Sequence, residues 1–429
     1  MPLNDILIYS GFLLLGVCQT LPWNCFINTY NYLILQLSYN KTDFLNSPDY
    51  ENNTLQTFWS SFVGLVINTV QIVSTVVNLL IIKRINRNAR IYPALVTAFV
   101  SFICIAVMTS VSVGADAFFG ITLLLALTSQ FGVGISQACC FGLAAVTGPT
   151  FIGGLFLGQS LAGILTAGLS IVTQAVFPEQ TEEDYDTSAA LYFTIASVVS
   201  FFAIPVFFVL NRKTASQNSE EVKVEYEPTE EKTVFEDLKL IISDIVYIGK
   251  TIKYQAVSLL LVFAITLSVF PVITERVESE CVTSKSTSSY CQNFGNTQYF
   301  LPVVCFLLIN ISDFTGRFLA GKWQIVGKDN DLMLLGMSLF RLLPAAGFFI
   351  TRRDNFEGLG FMGSDWAYIV LMIVFGISGG YVSTLCFIYG PQKIHQEKAE
   401  TAGSLLPFYL CVGLLIGSLL SFGLVLIVE

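Results

Sequence analysis

Charge is the first thing this chain lacks. Of its 429 residues only 12% are Asp, Glu, Lys or Arg, whereas a soluble domain carries about 25%, so a water-soluble globular protein is excluded. Histidine is scarcer still. The one imidazole, His395, lies in a polar loop and reads as solvated. No CxxC or Cys/His spacing suggests a metal. No nucleophile–base pair stands deep in the apolar segments, which argues against an enzyme. A cleavable leader is also missing: the first apolar run begins near Ile6 without a basic segment before it and is too long for a signal core. The net charge of −9 gives no hint of nucleic-acid binding, and the acid gathers in two stretches, Glu179 to Asp186 and Glu220 to Asp237, which read as solvated loops.

What is present is apolar. Hydrophobic residues make up 54% of the chain, and the mean hydropathy is +0.68. The apolar runs do not alternate, which selects helices over a transmembrane barrel, and lipid leaves no other choice for the backbone. Eleven spans are expected, at 8–35, 57–82, 92–112, 118–143, 150–177, 188–210, 255–273, 297–321, 332–351, 366–389 and 402–428. The fold class is therefore an all-α polytopic membrane protein of eleven transmembrane helices. The longest polar stretch, 211–254, divides it into a six-helix bundle over 1–210, a cytosolic loop, and a five-helix bundle over 255–429. That 6+5 division is major-facilitator-like, by analogy of fold, since no clear internal repeat accompanies it.

Basic residues orient the bundle. Loops after even-numbered spans hold Lys83, Arg84, Arg87, Arg90, seven Lys/Arg in 211–254, Lys322, Lys328, Lys393 and Lys398, fifteen in all; the other side holds Lys41, Arg276, Lys285, Arg352 and Arg353, which is five. The N-terminus and long loop are expected in the cytosol, the C-terminus outside. Glycosylation sequons at Asn40 and Asn52 fall in the first loop, on the outer side of that topology. A third, at Asn310, lies inside a span and should be unused. Cys281 and Cys291, ten residues apart in a polar Ser/Thr-rich loop, could form a disulfide if that loop meets an oxidising compartment. The other eight cysteines lie in apolar spans and read as small hydrophobes.

Three charges stand inside the spans: Asp313, Arg317 and Arg341. A charge at the centre of a membrane helix costs about 2.5–3.5 kcal/mol on insertion scales, so it faces a partner or a wet cavity. Asp313 and Arg317 are spaced i, i+4, with Asn310 one turn earlier, so one stripe offers an amide, a carboxylate and a guanidinium. Two readings follow: an ion pair stitching helices together, or a site that hydrogen-bonds a hydroxylated solute. Arg341, three residues before Pro344, is either a gate or a tie between helices. In the first span Pro22 removes a backbone hydrogen bond, and Trp23 stands too deep for an interfacial belt. It is either packing or a flat wall for an aromatic ligand. Gln137, deep in the fourth span, can pair with a helix neighbour or with a base edge. Glycines crowd the fourth, fifth and tenth spans and indicate only close helix packing.

Taken together these motifs resemble the equilibrative nucleoside transporters. Pro22-Trp23-Asn24 is similar to that family's PWN signature, and Asn310-x-x-Asp313-x-x-x-Arg317 to its eighth-helix motif. Gly379-Gly380-Tyr381 through Gly390-Pro391-Gln392-Lys393 resembles its NGY…FGPKK stretch, and Glu400-Thr401-Ala402-Gly403 its ETAG. Gln137 with Phe141-Gly142-Leu143-Ala144, and Gly158-Gln159 with Leu161-Ala162-Gly163, resemble its fourth and fifth helices. The resemblance covers essentially the whole chain in order. It implies a carrier of nucleosides, or nucleobases as well, that works by alternating access in a lipid bilayer. It implies no cofactor and no obligate protein partner. Asp313 and Arg317 would engage the ribose hydroxyls, Gln137 the base, and Trp23 and Asn310 the wall of the site. Three positions depart from the pattern: Ser160 for the Gly of GQG, Gly379 for the Asn of NGY, and Val133 where several relatives have Gly. Proton coupling, or another small polar solute such as a sugar, are the competing readings. The plasma membrane is the expected location, since no acidic dileucine stands near the N-terminus.

Overall fold

The computed structural model describes residues 2–46, 51–177, 181–218, 234–277, 279, 281, 290–295, 299–351 and 364–428. Lys285, Arg352, Arg353, Glu179 and residues 219–233 of the 211–254 stretch fall outside the described residues. Among the described residues ten helices are long and apolar enough to cross a bilayer, and a bent pair, counted as one span, brings the number to eleven. We number the spans α1 (Leu3–Asn28), α2 (Thr54–Ile81), α3 (Arg87–Met108), α4 (Ala115–Thr147), α5 (Pro149–Val176), α6 (Glu182–Asn218), α7 (Lys253–Val269), α8 (Leu301–Lys322), α9 (Asp331–Thr351), α10 (Asp365–Gln392) and α11 (Ala399–Val428).

The expected spans are all found, with shifted ends that have local causes. The first does not run to 35: it stops at Asn28, Thr29 turns the chain, and Tyr30–Gln36 forms a separate short helix. Pro22 sits inside an unbroken α1. α2 begins earlier, at Thr54, because Asn53 and Gln56 form a reciprocal capping box. α7 ends at Val269 rather than 273. Phe270 precedes Pro271, and the proline pushes it to extended angles (φ −102°, ψ 133°) that a helix cannot continue. α8 opens with a π-helical stretch over Leu301–Leu307, and α9 is interrupted at Arg341, between Asp331–Phe340 and Leu342–Thr351.

The 211–254 stretch is not loop throughout. α6 continues to Asn218, and a helix over Val234–Thr251 precedes α7. That helix meets α7 at 79°, with Ile241 and Ile248 buried beneath it. Its Asp244 bonds Lys83, which follows α2, and Lys398 at 2.8 Å, which precedes α11. These contacts put the starts of the odd-numbered spans at one end of the bundle, the N-face. At the opposite face Lys41 pairs with Glu182 at 2.8 Å, tying the α1–α2 connection to the start of α6.

The cores are distributed unequally between the two ends. Towards the N-face a single core joins both halves, taking Phe12, Leu95, Phe141 and Phe156 from spans α1–α5 and Leu385, Phe387, Leu405 and Leu406 from α10 and α11. Towards the other face each half has a core of its own: Phe26, Trp59, Phe102, Phe118 and Phe193 in the first, Ile265, Val304, Phe348, Tyr368 and Phe375 in the second. The halves are thus welded at one end and separately packed at the other. Sulfurs of Cys281 and Cys291 are bonded, with Cα atoms 5.2 Å apart.

Candidate functional site

A cavity of about 260 Å³ lies at mid-height between the halves. Its two walls differ in chemistry. The first half presents amides and one indole: Gln19 and Trp23 on α1, Gln71 on α2, Gln130 and Gln137 on α4, Gln159 on α5. The second half presents a carboxylate and a guanidinium, Asp313 and Arg317 on α8, with the Asn310 amide beside them. All five residues singled out in the sequence as substrate contacts line this one space.

On the charged wall, Asp313 accepts from Arg317 Nε at 2.7 Å, the i, i+4 pair expected on one helical face. Both side chains keep some exposure, 24% for the carboxylate and 10% for the guanidinium, so the pair borders the cavity and is not sealed between helices. Arg317 also donates to the Phe156 carbonyl at 3.1 Å, and its guanidinium lies 4.6 Å above the Phe156 ring. Ser160 Oγ donates to the same Asp313 oxygen as Arg317, at 2.6 Å. The position that departs from the GQG pattern therefore supplies a hydroxyl from the opposite half. Asn310 turns its amide N–H back to the Phe306 carbonyl at 2.8 Å and packs against Gly163, where any Cβ would stand 2.0 Å from its oxygen.

On the amide wall, Gln137 accepts from Gln71 Nε2 at 2.8 Å. Trp23 is half-buried and stacks on Phe26 at 5.4 Å, 18° from parallel. That leaves a flat aromatic surface beside the amides. Neutral amides offer a donor and an acceptor each, which matches the edge of a nucleobase, whereas the carboxylate and guanidinium match hydroxyls.

The N-face end of the cavity is closed in two layers. Phe141, Phe156 and Phe387 meet with ring centroids 4.4 to 5.0 Å apart, taking α4 and α5 from one half and α10 from the other. Beyond them Arg87 on α3 grips Glu400 on α11 in a bidentate pair, through Nε at 3.1 Å and Nη2 at 2.6 Å, and Arg90 reaches the same carboxylate at 3.4 Å. This cluster lines a vestibule of about 870 Å³ that opens at the N-face and includes His395 in its wall.

Arg341 is elsewhere. It is 1% exposed, inside the second half, donating to the Phe375 carbonyl at 2.6 Å, Ser378 Oγ at 2.9 Å and Thr266 Oγ1 at 2.7 Å. It ties α9 to α10 and α7 and does not reach the cavity. Gly379 makes room for it: a Cβ there would stand 2.6 Å from Arg341 Nη1. Asn40 and Asn52 are exposed at the face opposite the N-face. The Asn40 amide donates to Asp43 at 2.7 Å.

Gln19, Gln71, Gln130 and Ser160 of this wall were not singled out as contacts from the sequence. A signal for two of them exists. Gln19 stands one helical turn before Trp23, and Gln130 two turns before Gln137, so each shares a stripe with a residue already chosen.

Two helical halves around a mid-height polar cavity are the architecture of the major-facilitator fold. The fold matches the proton:xylose symporter XylE of the major facilitator superfamily over 99% of this chain and 88% of that one, with a TM-score of 0.59 at 11% identity. A bacterial homologue of the iron transporter ferroportin, in an outward-facing state, matches over 98% and 93%, also at 0.59 and 11%. The family is narrower. The nucleoside transporter family model matches residues 122–426, and the chain belongs to that family. It is 28% identical to equilibrative nucleoside transporter 1 of Homo sapiens over 97% of this chain and 96% of that one, and 27% identical to equilibrative nucleoside transporter 2 of Homo sapiens with the same coverage. These relatives are transporters and not enzymes.

Proposed function

We propose that this chain carries nucleosides, and nucleobases as smaller fragments of the same ligand, across a membrane by equilibrative alternating access. The observation that carries the reading is the two-faced cavity: charge on one wall for the ribose hydroxyls, amides and Trp23 on the other for the base. Asp313 and Arg317 would hold the sugar, Gln137 the base, and Trp23 and Asn310 would line the space. The welded N-face and separate cores at the other end support a cavity loaded from the face opposite the N-face. Breaking the Phe cluster and the Arg87–Glu400 pair would then release solute at the N-face.

The bundle divides, in this reading, into a first unit over 1–210 and a second over 255–429, with 211–254 between them. The N-face is assigned to the cytosol on the fifteen-to-five basic bias, and Asn40 and Asn52 become outward-facing glycosylation acceptors. The C-terminus then lies outside and the plasma membrane is the assigned location.

The test is uptake into liposomes containing the purified protein. Radiolabelled uridine and adenosine should equilibrate across the bilayer and show counterflow when the lumen is preloaded. A pH gradient that drives either solute above equilibrium would replace the equilibrative mechanism with proton coupling. If a sugar competes and no nucleoside does, the substrate assignment fails.

A further inference from the structure

Three amides of the cavity wall have no place in the roles proposed so far. Gln19, Gln130 and Gln159 are 5%, 2% and 9% exposed, so each is more than nine-tenths buried. All three nevertheless line the central cavity. Gln19 donates to the Ser136 carbonyl at 3.3 Å and leaves its side-chain oxygen without a partner. The amide nitrogens of Gln130 and Gln159 have no partner either. A buried polar atom without a hydrogen bond is disfavoured, and such atoms are few in a native protein. The three orphan atoms are closed to solvent in this conformation, so a solute in the cavity pairs with them only as the amides turn towards it; three such amides stand around one small space, on three different helices.

Their surroundings indicate what that solute is. Gln130 is two turns along the stripe of Gln137, and Gln19 one turn along the stripe of Trp23, so both belong to the indole-and-amide wall. Gln159 is the neighbour of Ser160, whose hydroxyl reaches Asp313 across the cavity. The three are therefore set around the part of the cavity assigned to the base and extend to its junction with the sugar site. An uncharged amide matches the ring nitrogens and exocyclic oxo or amino groups of a base, and supplies no charge to balance a phosphate.

We propose that Gln130 and Gln159, seconded by Gln19, are specificity-determining residues that hydrogen-bond the polar edge of the nucleobase, so that the carrier ranks unphosphorylated nucleosides by the exocyclic group of the base and not by ring size. The proposal rests on the nucleoside-carrier reading and adds to Gln137 a set of base contacts from α1, α4 and α5. A site built to hydrogen-bond a group rejects the analogue that lacks it, because its own buried amides are then left unpaired.

Purine riboside is the deciding probe, since it keeps the purine ring and ribose of adenosine and inosine and lacks their group at C6. Reconstituted full-length protein should transport adenosine or inosine with about tenfold higher Vmax/KM than purine riboside, the size of one lost hydrogen bond in a buried site. Gln130→Met and Gln159→Met keep side-chain length and remove the hydrogen bonds, and each should pull that ratio towards one. Ligand-induced thermal stabilisation of the purified protein gives the same ratio as affinities for a variant that does not turn over. Equal handling of purine riboside and inosine by the unaltered protein overturns the proposal, as does an unchanged ratio in both variants. Failure of the unaltered protein to transport any of the three overturns the nucleoside reading itself, an outcome distinct from the other two.

Discussion

Ser160 on α5 donates a 2.6 Å hydrogen bond to Asp313 on α8, from one half of the carrier to the other. The same carboxylate oxygen accepts from Arg317 at 2.7 Å. The charge proposed to bind the ligand is thus shared across the interface that alternating access would have to change. A nucleoside hydroxyl that competes for that oxygen would loosen the bond between the halves, which links binding to motion.

Asp313→Asn removes the carboxylate charge that both donors share and leaves Arg317 uncompensated beside the cavity. Breaking a fully buried pair costs about 3–5 kcal/mol; Asp313 keeps 24% of its side-chain exposure, so the stability loss should be smaller than that. Uptake per molecule at the cell surface should fall to background while expression survives. Normal transport by Asp313→Asn would show the pair to be structural. Ser160→Ala, which removes the donor that a nucleoside hydroxyl would displace from Asp313, should lower KM by up to about tenfold, the effect of about 1.4 kcal/mol, with Vmax held or increased as the inter-half contact weakens.

The parts of this site that were legible in the sequence are those where a residue type is improbable in its setting. Asp313, Arg317 and Trp23 stand out because charge and a deep indole are costly or unusual in an apolar run, and the family motifs add to them. Gln71, Gln130 and Gln19 did not stand out. A single amide in a membrane helix is ordinarily satisfied by a neighbouring helix, and only the meeting of α1, α2, α4 and α5 shows that they share one cavity. Phe141, Phe156 and Phe387 were invisible for a plainer reason: with 36 phenylalanines in the chain, no spacing marks three that touch across helices far apart in sequence. The span count was readable from hydropathy. The exact ends depended on the Asn53 cap, Pro271 and the turn at Thr29, which hydropathy does not weigh.

Gln71 and Gln137 are bonded at 2.8 Å, so they should behave as one unit. Gln137→Ala should change the preference among bases more than it changes maximal flux. Gln71→Leu, which leaves Gln137 without its partner, should reproduce that change in preference. In a double-mutant cycle on Vmax/KM the coupling should be about 1 kcal/mol. Additive effects, or equal losses for every base, would assign both amides to helix packing.

Arg341 makes a different prediction from Arg317, because it faces Phe375, Ser378 and Thr266 and not the cavity. Its guanidinium also lies 4.3 Å above the Phe375 ring. Arg341→Leu removes all of these at once and leaves buried acceptors unpaired, so the detergent-solubilised protein should lose about 2 kcal/mol or more of stability, read as a lower melting temperature. Substrate should still shift that temperature upward. A variant of unaltered stability with lost transport would make Arg341 a gate instead of a tie.

Among the described residues two ionic contacts join the halves at the N-face, and their burial decides which one matters. Glu400 holds Arg87 in a two-armed pair whose side chains are about one quarter exposed or less, with Arg90 behind it at 2%. Asp244 holds Lys83 and Lys398, whose side chains are 50% and 38% exposed. Exposed pairs contribute about 0–1 kcal/mol and are screened by salt, whereas charged hydrogen bonds in partly buried pairs contribute about 1.5–3 kcal/mol. Glu400→Gln should therefore shift the population towards the state open at the N-face by about tenfold or more, while Asp244→Asn shifts it by less than about fivefold and only at low salt. A cysteine introduced at Ile152, in the vestibule wall, reports the change through its rate of labelling by a membrane-impermeant thiol reagent applied from the N-face. Faster labelling in Glu400→Gln that is insensitive to salt supports the inner pair as the principal ionic closure. If Asp244→Asn opens the vestibule as far as Glu400→Gln does, the helix before α7 holds the two halves together more strongly than its exposed lysines allow, and the ranking of the two contacts is reversed.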